Sequence, residues 1–259
     1  MRIGFMNEGK RVQSIDRAMM IIKLFSNKTK ELKLTEISEE LNLHKSTTFG
    51  ILNTLKYHGL IIQNEENQKY RLGLYLLELG NLVLNSLDIN QIADPVLSNI
   101  RNSVEETVCL GILYGFEVIY INKKESYNTL RFTTEIGTRN PAYCTSAGKA
   151  MLAYLDQELI TAEFPSNFQS YTNHTIASKI KLIKELKEIQ SNGYSIENEE
   201  RYEGMISVAV PIFDSEGQAR YAISVSGPTI RMNENRMQEI IQLLRDATEN
   251  LSIKLGYIK

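Results

Sequence analysis

The sequence predicts an α+β protein built from two domains and a connecting helix. Two short amphipathic helices followed by a polar hairpin lie near the N-terminus, a nearly all-apolar helix comes next, and the rest of the chain mixes helices with strands joined by turns. From these features we place the first domain at residues 1–73, the connecting helix at 74–88 and the second domain at 89–259.

The composition is that of an ordinary globular protein. Of the 259 residues, 42% are hydrophobic and 23% are charged, which is enough apolar material for two cores. The two cysteines, Cys109 and Cys144, show no CxxC spacing, so neither a disulfide framework nor a zinc ribbon is indicated. No signal-peptide core and no apolar run of membrane-spanning length is visible, so we expect a cytoplasmic protein without a membrane partner.

The charge is distributed unevenly along the chain. The formal net charge is -2, but residues 1–80 hold 12 Lys and Arg against 9 Asp and Glu, whereas the remainder holds 17 against 22. The positive balance therefore lies in the first domain. Because the excess is small, any attraction to phosphate groups must be local.

The first domain is predicted to contain three helices. The first spans residues 12–26 and has the apolar stripe Ile15, Ala18, Met19, Ile22 and Phe25. Thr35 is the expected cap of the second helix, and Asn42 ends it because asparagine tolerates a positive φ. The third helix begins near Lys45 or Ser46. Its predicted buried stripe consists of Thr48, Ile51, Leu52 and Leu55.

A short hairpin is predicted after the third helix. Gly59 ends that helix, and segments 60–64 and 68–73 pair as strands around a turn at 65–67. This order of elements is typical of a winged helix-turn-helix, which binds double-stranded DNA through its last helix. The residues expected to contact DNA are Lys45, Ser46, Thr47, Phe49, Gly50, Asn53, Lys69 and Arg71. The alternative is a plain helical bundle, in which small polar helix pairs also occur.

The connecting helix, residues 74–87, is apolar nearly all round. Such a helix must be covered on several sides, so we interpret it as a connector that also packs against a second subunit. The alternative is a core helix of the second domain.

The second domain is predicted to hold an antiparallel sheet flanked by helices. A helix at 89–107 precedes a hairpin of strands 108–115 and 117–124 about Gly115 and Phe116 and a third strand at 129–135. Helices follow at 145–155 and 178–192. The second of these is capped by Ser178, ends at Gly193 and has the stripe Ile180, Ile183 and Leu186. Strands 206–213 and 220–227 then lead to a closing helix at 233–256, with Met237, Ile240, Ile241, Leu244 and Leu251 inward.

One constellation in this domain predicts a ligand cavity. Thr145 is a candidate helix cap, so the amides of Ser146, Ala147 and Gly148 would lack intrahelical partners and could bind an anion. Strand alternation places Ser207 with Ala209 on one face, and likewise Ala222, Ser224 and Ser226. If these faces meet the helix start, they enclose a small site suited to a carboxylate. The alternative is that Ser and Ala merely allow close helix packing.

Several segments in order resemble the IclR family of bacterial transcriptional regulators. These are VQSIDRAMMIIKLF, LTEISEELNLHKSTTFGILNTL, YRLG, GTRNPAYCTSAGKAMLAYL and EGMISVAVPIFDSEGQARYAISVSGP. A further run contains YT, then GY, then E, and ends with Tyr194 to Glu200. TSAGKA and SVSGP at this separation are the specific motifs. The resemblance implies a winged helix, a dimerising linker helix, a GAF-like effector domain, no cofactor, and homodimers or homotetramers on palindromic operators.

The resemblance also implies a small-molecule effector, commonly an organic acid or an aromatic catabolite, and a regulator expected to repress catabolic genes. Carried over position by position, the effector pocket comprises the backbone at Ser146 and Ala147 together with Glu197, Met205, Ser207, Ser224 and Ser226. Because a carboxylate at Glu197 would repel a second negative group, a hydroxy-acid, a keto-acid or a polar aromatic acid ranks above a dicarboxylate.

This chain departs from the family pattern at several positions. Phe49 and Gly50 stand where relatives often carry a basic or polar pair, so base recognition would rest on Lys45, Ser46, Thr47 and Asn53, with Phe49 against thymine methyl groups. In the pocket, Ser207 replaces a frequent cysteine, and Glu197 stands where a shorter Asp can occur.

Two other classes of protein, an enzyme and a metal-responsive regulator, would require residue patterns that the sequence does not show. An enzyme could use Cys144 near a helix start, where the helix dipole favours thiolate, but His44, His58 and His174 show no suitable partner pattern. A metal-responsive regulator would need clustered ligands, and Cys109, Cys144 and His174 have no ligand spacing. We therefore expect neither catalytic residues nor a metal site.

Overall fold

The computed structural model describes residues 12–26 and 28–258. This part of the chain divides into two compact units that meet in sequence at Ser86 and Leu87. None of the helices in the described residues is long and apolar enough to cross a membrane.

The N-terminal unit has the predicted winged helix-turn-helix order. Its elements are α1 (Gln13–Lys23), α2 (Leu34–Glu40), α3 (Lys45–Tyr57), β1 (Ile61–Gln63), β2 (Tyr70–Leu72) and α4 (Tyr75–Asn85). The two strands pair antiparallel, with Ile61 opposite Leu72 and Gln63 opposite Tyr70. The helices and strands of this unit pack around one hydrophobic core, which consists of Ile21, Phe25, Ile37, Leu52, Leu55, Ile61 and Tyr70.

Local signals explain the helix ends in this unit. Asn42 adopts φ 50° after α2, as predicted, and Gly59 adopts φ 69° after α3. The predicted cap at Thr35 is wrong, because α2 begins one residue before it. The carboxylate of Glu36 instead accepts a hydrogen bond from the backbone N–H of Lys33 at 2.6 Å.

The predicted stripe of α1 is partly wrong. Ile21 is fully buried, whereas Ile15 and Met19 are largely exposed. Successive helical residues are rotated by about 100°, so Met19 lies nearly opposite Ile21. Phe25, four residues after Ile21, shares its buried face, and the predicted members Ala18 and Ile22 pack against that core from partly exposed positions.

Helix α4 presents apolar side chains to solvent in the single chain. None of its residues is buried, and Leu77, Leu82 and Val83 are each more than 60% exposed. The alternative interpretation, a core helix of the second domain, is therefore wrong for the protomer.

The C-terminal unit is built on one antiparallel sheet with the strand order β5-β4-β3-β8-β7-β6. The strands are β3 (Thr107–Tyr114), β4 (Glu117–Lys124), β5 (Arg139–Pro141), β6 (Ser195–Asn198), β7 (Met205–Phe213) and β8 (Ala219–Pro228). The helices are α5 (Asp88–Val104), α6 (Ser146–Leu152), α7 (Gln157–Glu163), α8 (Lys179–Asn192) and α9 (Glu234–Lys254). The α+β class with a central antiparallel sheet is confirmed.

Strand alternation separates two layers of this unit. Ala209 and Ala222 pack in one core with residues of α6 and α8. Val208 and Val210 alternate with Ala209 and so point to the other face, where α9 packs against β7. The small side chains therefore face α6, as predicted.

The predicted third strand at 129–135 is wrong, and the structure has β5 at 139–141 instead. The carbonyls of the predicted segment bond to side chains rather than to a ladder: Thr107 Oγ1 donates to Phe132 O at 2.8 Å, and Lys123 Nζ donates to Thr134 O at 2.7 Å. The segment therefore lies along the sheet without extending it.

Helix α8 differs from its prediction in two details. Ser178 occupies the cap position without a side-chain cap hydrogen bond, and Ile180 is 81% exposed. The buried face of the helix consists of Leu182, Leu186 and Ile189. Ile180 lies two residues before Leu182, which turns it away from this face. Gly193 ends the helix with φ 76°, as predicted.

Candidate functional site

The outer face of α3 is free to meet a ligand. Lys45, Ser46, Gly50 and Asn53 are exposed, Phe49 is 51% exposed, and Thr47 is half-buried. The opposite face holds the buried residues of the helix, Thr48, Leu52 and Leu55. Within residues 12–26 and 28–258, no other side chain bonds to Lys45, Ser46 or Asn53. This face therefore has polar groups available for an external partner.

The hairpin supplies a second part of this surface. Glu65 and Glu66 lie at its exposed tip, Arg71 is exposed, and Lys69 is half-buried. Acidic residues at the tip limit phosphate contacts to the strand positions, of which Arg71 is the more accessible.

A separate cavity lies in the C-terminal unit where α6 begins. Thr145 caps α6, because its Oγ1 accepts a hydrogen bond from Gly148 N at 3.3 Å, as predicted. Ser146 Oγ lies 2.6 Å from Ser207 Oγ, which lies 2.8 Å from Ser226 Oγ. Ser207 and Ser226 meet because they are directly opposite each other on β7 and β8. The result is a chain of three hydroxyls.

The cavity encloses about 20 Å³, which is room for about one water molecule. Its lining combines hydroxyls, aromatic rings and two charged residues. The lining residues are Tyr120, Phe132, Asn140, Thr145, Ser146, Glu197, Arg201, Tyr202, Met205, Ile206, Ser207 and Ser226. A larger ligand would require the covering side chains to move.

The structure brings together five of the seven predicted pocket residues: Ser146, Glu197, Met205, Ser207 and Ser226. Ala147 is fully buried in the core beside the cavity. Ser224 lies opposite Ala209, two positions along the strand from Ser226, and its buried Oγ has no hydrogen-bond partner. Alternation placed Ser224 on the same face as Ser226, but Ser224 does not line the cavity.

Sequence reasoning missed the aromatic and amide residues of the lining and the charged residue Arg201. Tyr120 and Asn140 come from β4 and β5, whose positions relative to α6 no local pattern shows. Arg201 and Tyr202 follow Glu197 by four and five residues in a loop. Their closeness to a predicted pocket carboxylate is the signal that could have indicated them.

Glu197 is a buried carboxyl group at the edge of the cavity. Its Oε1 accepts hydrogen bonds from the backbone N–H groups of Glu200 at 2.7 Å and Arg201 at 3.0 Å. Burial raises the pKa of Glu197 to about 7, and these two hydrogen bonds offset only part of that effect. Near neutral pH the group therefore exchanges between its charged and neutral forms.

Helix α6, whose first residue lines the cavity, also carries the fully buried Lys149. Its Nζ donates to Glu185 Oε1 at 2.5 Å and to Ile196 O at 2.8 Å, and it forms an ion pair with Glu200. Burial disfavours the ammonium, but Glu200 and Glu185 overcome that penalty, so the pKa of Lys149 is raised and the group stays charged. These contacts join α6 to α8 and to the residues after β6.

Cys144 is a poor nucleophile in this setting. The thiol is buried, and burial raises its pKa to about 12, which outweighs the expected effect of the nearby helix start. Among the residues that the structure describes, no group of three or more His, Cys, Asp and Glu side chains is placed to hold a metal ion.

A helix-turn-helix followed by a wing, with an exposed polar face on its last helix, is the arrangement of a DNA-binding protein. The other unit holds a small cavity lined by hydroxyls, aromatic rings and two charged residues. Comparisons with known protein families show the family to which the chain belongs. The model for the IclR helix-turn-helix domain matches residues 14–65, and the model for the bacterial transcriptional regulator IclR C-terminal domain matches residues 81–253. The chain belongs to the IclR family and is a DNA-binding transcriptional regulator.

Known proteins align with nearly the whole chain. The regulator XynR of Escherichia coli is 37% identical over 95% of this chain and 98% of its own, and KdgR of the same organism is 34% identical over 93% and 94%. The Thermotoga maritima IclR structure matches with a TM-score of 0.76 at 29% identity over 95% of this chain and 100% of its own. An IclR homologue of Microbacterium hydrocarbonoxydans, solved in complex with 4-hydroxybenzoate, shares the fold with a TM-score of 0.81 at 21% identity over 93% and 98%.

Glu197→Gln should change how stability depends on pH. The carboxyl pKa is about 7 in the folded protein against 4.5 ordinarily, so the folded state retains a proton that the unfolded chain loses, and wild-type stability falls as pH rises through this window. The glutamine stays neutral, and its carbonyl can still accept both N–H groups. Relative to wild type, we expect the variant to gain about 1–3 kcal/mol of unfolding free energy between pH 5 and pH 8.

Denaturant unfolding at several pH values measures this difference. Glu203→Gln, a change of an exposed carboxylate in the same loop, is the matched control. Parallel curves for wild type and Glu197→Gln would contradict the raised pKa.

Proposed function

We propose that this regulator represses catabolic genes as a homodimer or homotetramer on a palindromic operator, and that a small organic acid in the cavity at the start of α6 controls it. The observation that carries the proposal is the convergence of the Ser146, Ser207 and Ser226 hydroxyls with Glu197 on one cavity. Hydroxyl groups can donate hydrogen bonds to the oxygen atoms of an organic acid and accept them from its hydroxyl groups. As a DNA-binding regulator, the protein is proposed to act in the cytoplasm.

The relatives support the same role. AllR of E. coli, 29% identical over 95% of this chain, is named a transcriptional repressor. Glu197 narrows the effector class, because its carboxylate disfavours a second negative group on the ligand unless it is protonated. A hydroxy-acid, a keto-acid or a polar aromatic acid fits better than a dicarboxylate.

DNA contact is assigned to the exposed face of α3 and to the wing. The segments of the chain are taken as a DNA-binding domain at 1–73, a linker at 74–88 and an effector domain at 89–259. An α-helix fits the major groove, where Lys45, Ser46, Thr47 and Asn53 would reach base edges or phosphates. Phe49 and Gly50 lie on the same face, and Lys69 and Arg71 of the wing would contact the backbone.

Helix α4 is the surface to which we primarily assign self-association of the protein. Its exposed leucines would each stabilise an interface by about 1.5–3 kcal/mol if fully covered, and a second copy offers the same apolar face in a symmetric pair. Sedimentation at micromolar concentration checks this, since a particle of 29.6 kDa would contradict it.

Removing groups from the outer face of α3 should weaken operator binding without unfolding the protein. We expect Lys45→Ala and Thr47→Ala each to cost about 1–3 kcal/mol of binding free energy if the lost contact is to a base. Neither side chain is buried, so the melting temperature should stay close to that of wild type. Mobility-shift titration on the promoter DNA upstream of the gene, at fixed salt, gives the affinity.

Lys184→Ala removes the same charge from an exposed site on α8 and serves as the control. If all three variants bind this DNA as wild type does, α3 is not the recognition helix.

A panel of small acids tests the effector proposal. Glycolate, pyruvate, D-gluconate and 4-hydroxybenzoate would be titrated into the full-length protein. At about 100 times its dissociation constant, a bound acid adds about 2.7 kcal/mol to the folded state. The same acid should change the affinity for operator DNA, because it must bind one conformation of the protein better than another.

Ser207→Ala combined with Ser226→Ala removes two hydroxyls and should abolish most of the thermal shift. Ser103→Ala is the control, since its exposed hydroxyl bonds only to Asn99 O within α5. An acid that stabilises all three proteins equally binds elsewhere, and a panel with no effect on wild type argues against an acid effector.

A further inference from the structure

The charge balance of the cavity is unusual for a site that would take an acid. Of its lining residues, only Glu197 and Arg201 carry a formally charged group. Glu197 would repel an anion when ionised, whereas the four serine and threonine hydroxyls of the lining provide no positive charge. Arg201 is therefore the one cation that lines the cavity within the described residues.

The Arg201 side chain is held in place by aromatic rings. Its Cζ lies 3.7 Å from the ring centroid of Tyr171 and 5.2 Å from that of Tyr202. Stacking of this kind fixes the plane of a guanidinium group and leaves its N–H groups at the edge free to donate.

Among the described residues, the Arg201 guanidinium has no anionic partner. Its Nε is buried without a hydrogen bond, and in the described part of the chain it forms no ion pair. The carboxylates next to it in sequence bind other groups: Glu197 Oε1 accepts from backbone N–H groups, and Glu200 pairs with Lys149 through Oε1, while Glu200 Oε2 is buried without a hydrogen-bond partner. A buried donor left unpaired is unfavourable, and a carboxylate is the group whose geometry matches a guanidinium edge.

We propose that Arg201 binds the carboxylate of the effector, so that the cavity selects monoanionic acids, an inference that rests on the proposed effector function. The remaining part of the ligand lies toward Glu197 and the serine hydroxyls, where an uncharged hydroxyl or carbonyl is the complementary group. One guanidinium neutralises one carboxylate. Ionised Glu197 therefore disfavours dicarboxylates, and neutral analogues leave Arg201 unpaired.

Matched acids and amides separate this role from simple packing. The panel acids and their amides, glycolamide, pyruvamide, D-gluconamide and 4-hydroxybenzamide, would be titrated calorimetrically into the full-length protein. Wild type should bind its preferred acid at least about 10-fold more tightly than the matching amide, the range expected for a charge-assisted pair. Arg201→Gln should bring that ratio close to one. Arg201→Lys keeps the charge and should retain part of the preference.

Arg245→Gln is the matched control. Arg245 also lies over a tyrosine ring in the same unit, 5.3 Å from the centroid of Tyr194, and donates to Asn192 O, but it does not line this cavity. It should keep the wild-type ratio of acid to amide affinity.

Each remaining outcome is decisive. If Arg201→Gln keeps the preference for acid, or loses acid and amide alike, Arg201 does not bind the carboxylate, although an acid effector still stands. If no acid of the panel binds wild type, both the acid effector and the role of Arg201 are overturned. If Arg201→Gln does not fold, Arg201→Lys decides alone, because loss of its acid preference would exclude a role for the charge.

Discussion

The buried ammonium of Lys149 is the constraint on which the C-terminal unit depends. A charge without exposure must be paired where it lies, and its partners come from three places: Glu185 on α8, Ile196 O on β6 and Glu200 just after β6. These elements must therefore assemble around α6. Gly148 completes the fit, since a Cβ there would lie 2.3 Å from Ala142 O.

The same contacts shape the cavity. With Glu200 held by Lys149, the loop after β6 turns its backbone N–H groups toward Glu197, and Arg201 extends over Tyr171. The start of α6 then lies against β7 and β8, where Ser146 reaches the Ser207 and Ser226 pair. The loop after β6 therefore both lines the cavity and, through Glu200, holds α6 in place. A ligand that moves this loop would also change the contacts that hold α6.

The sequence predicted those parts of this arrangement that depend on local periodicity. The hairpins β3–β4 and β7–β8 have clear alternation and turn residues, and α3 and α9 have regular apolar spacing. The edge strands β5 and β6, three and four residues long, are too short to show a period. Alternation placed Ser224 and Ser226 on the same face, but it does not show how far along the strand the cavity extends, and only Ser226 lines it. Arg201 was missed because its place depends on a loop held by Lys149, a contact across 51 residues of sequence.

Unfolding of Lys149→Met tests most directly whether this buried charge organises the C-terminal unit. The change preserves side-chain length but leaves Glu185 and Glu200 without their cation, and removing one partner of a buried pair costs about 3–5 kcal/mol. Lys184→Met, at an exposed ion pair of α8, is the control. We expect denaturant unfolding followed by circular dichroism to show a loss of that size for Lys149→Met alone, with partial recovery when Glu185→Gln and Glu200→Gln are added. A Lys149→Met protein as stable as the control would contradict the account.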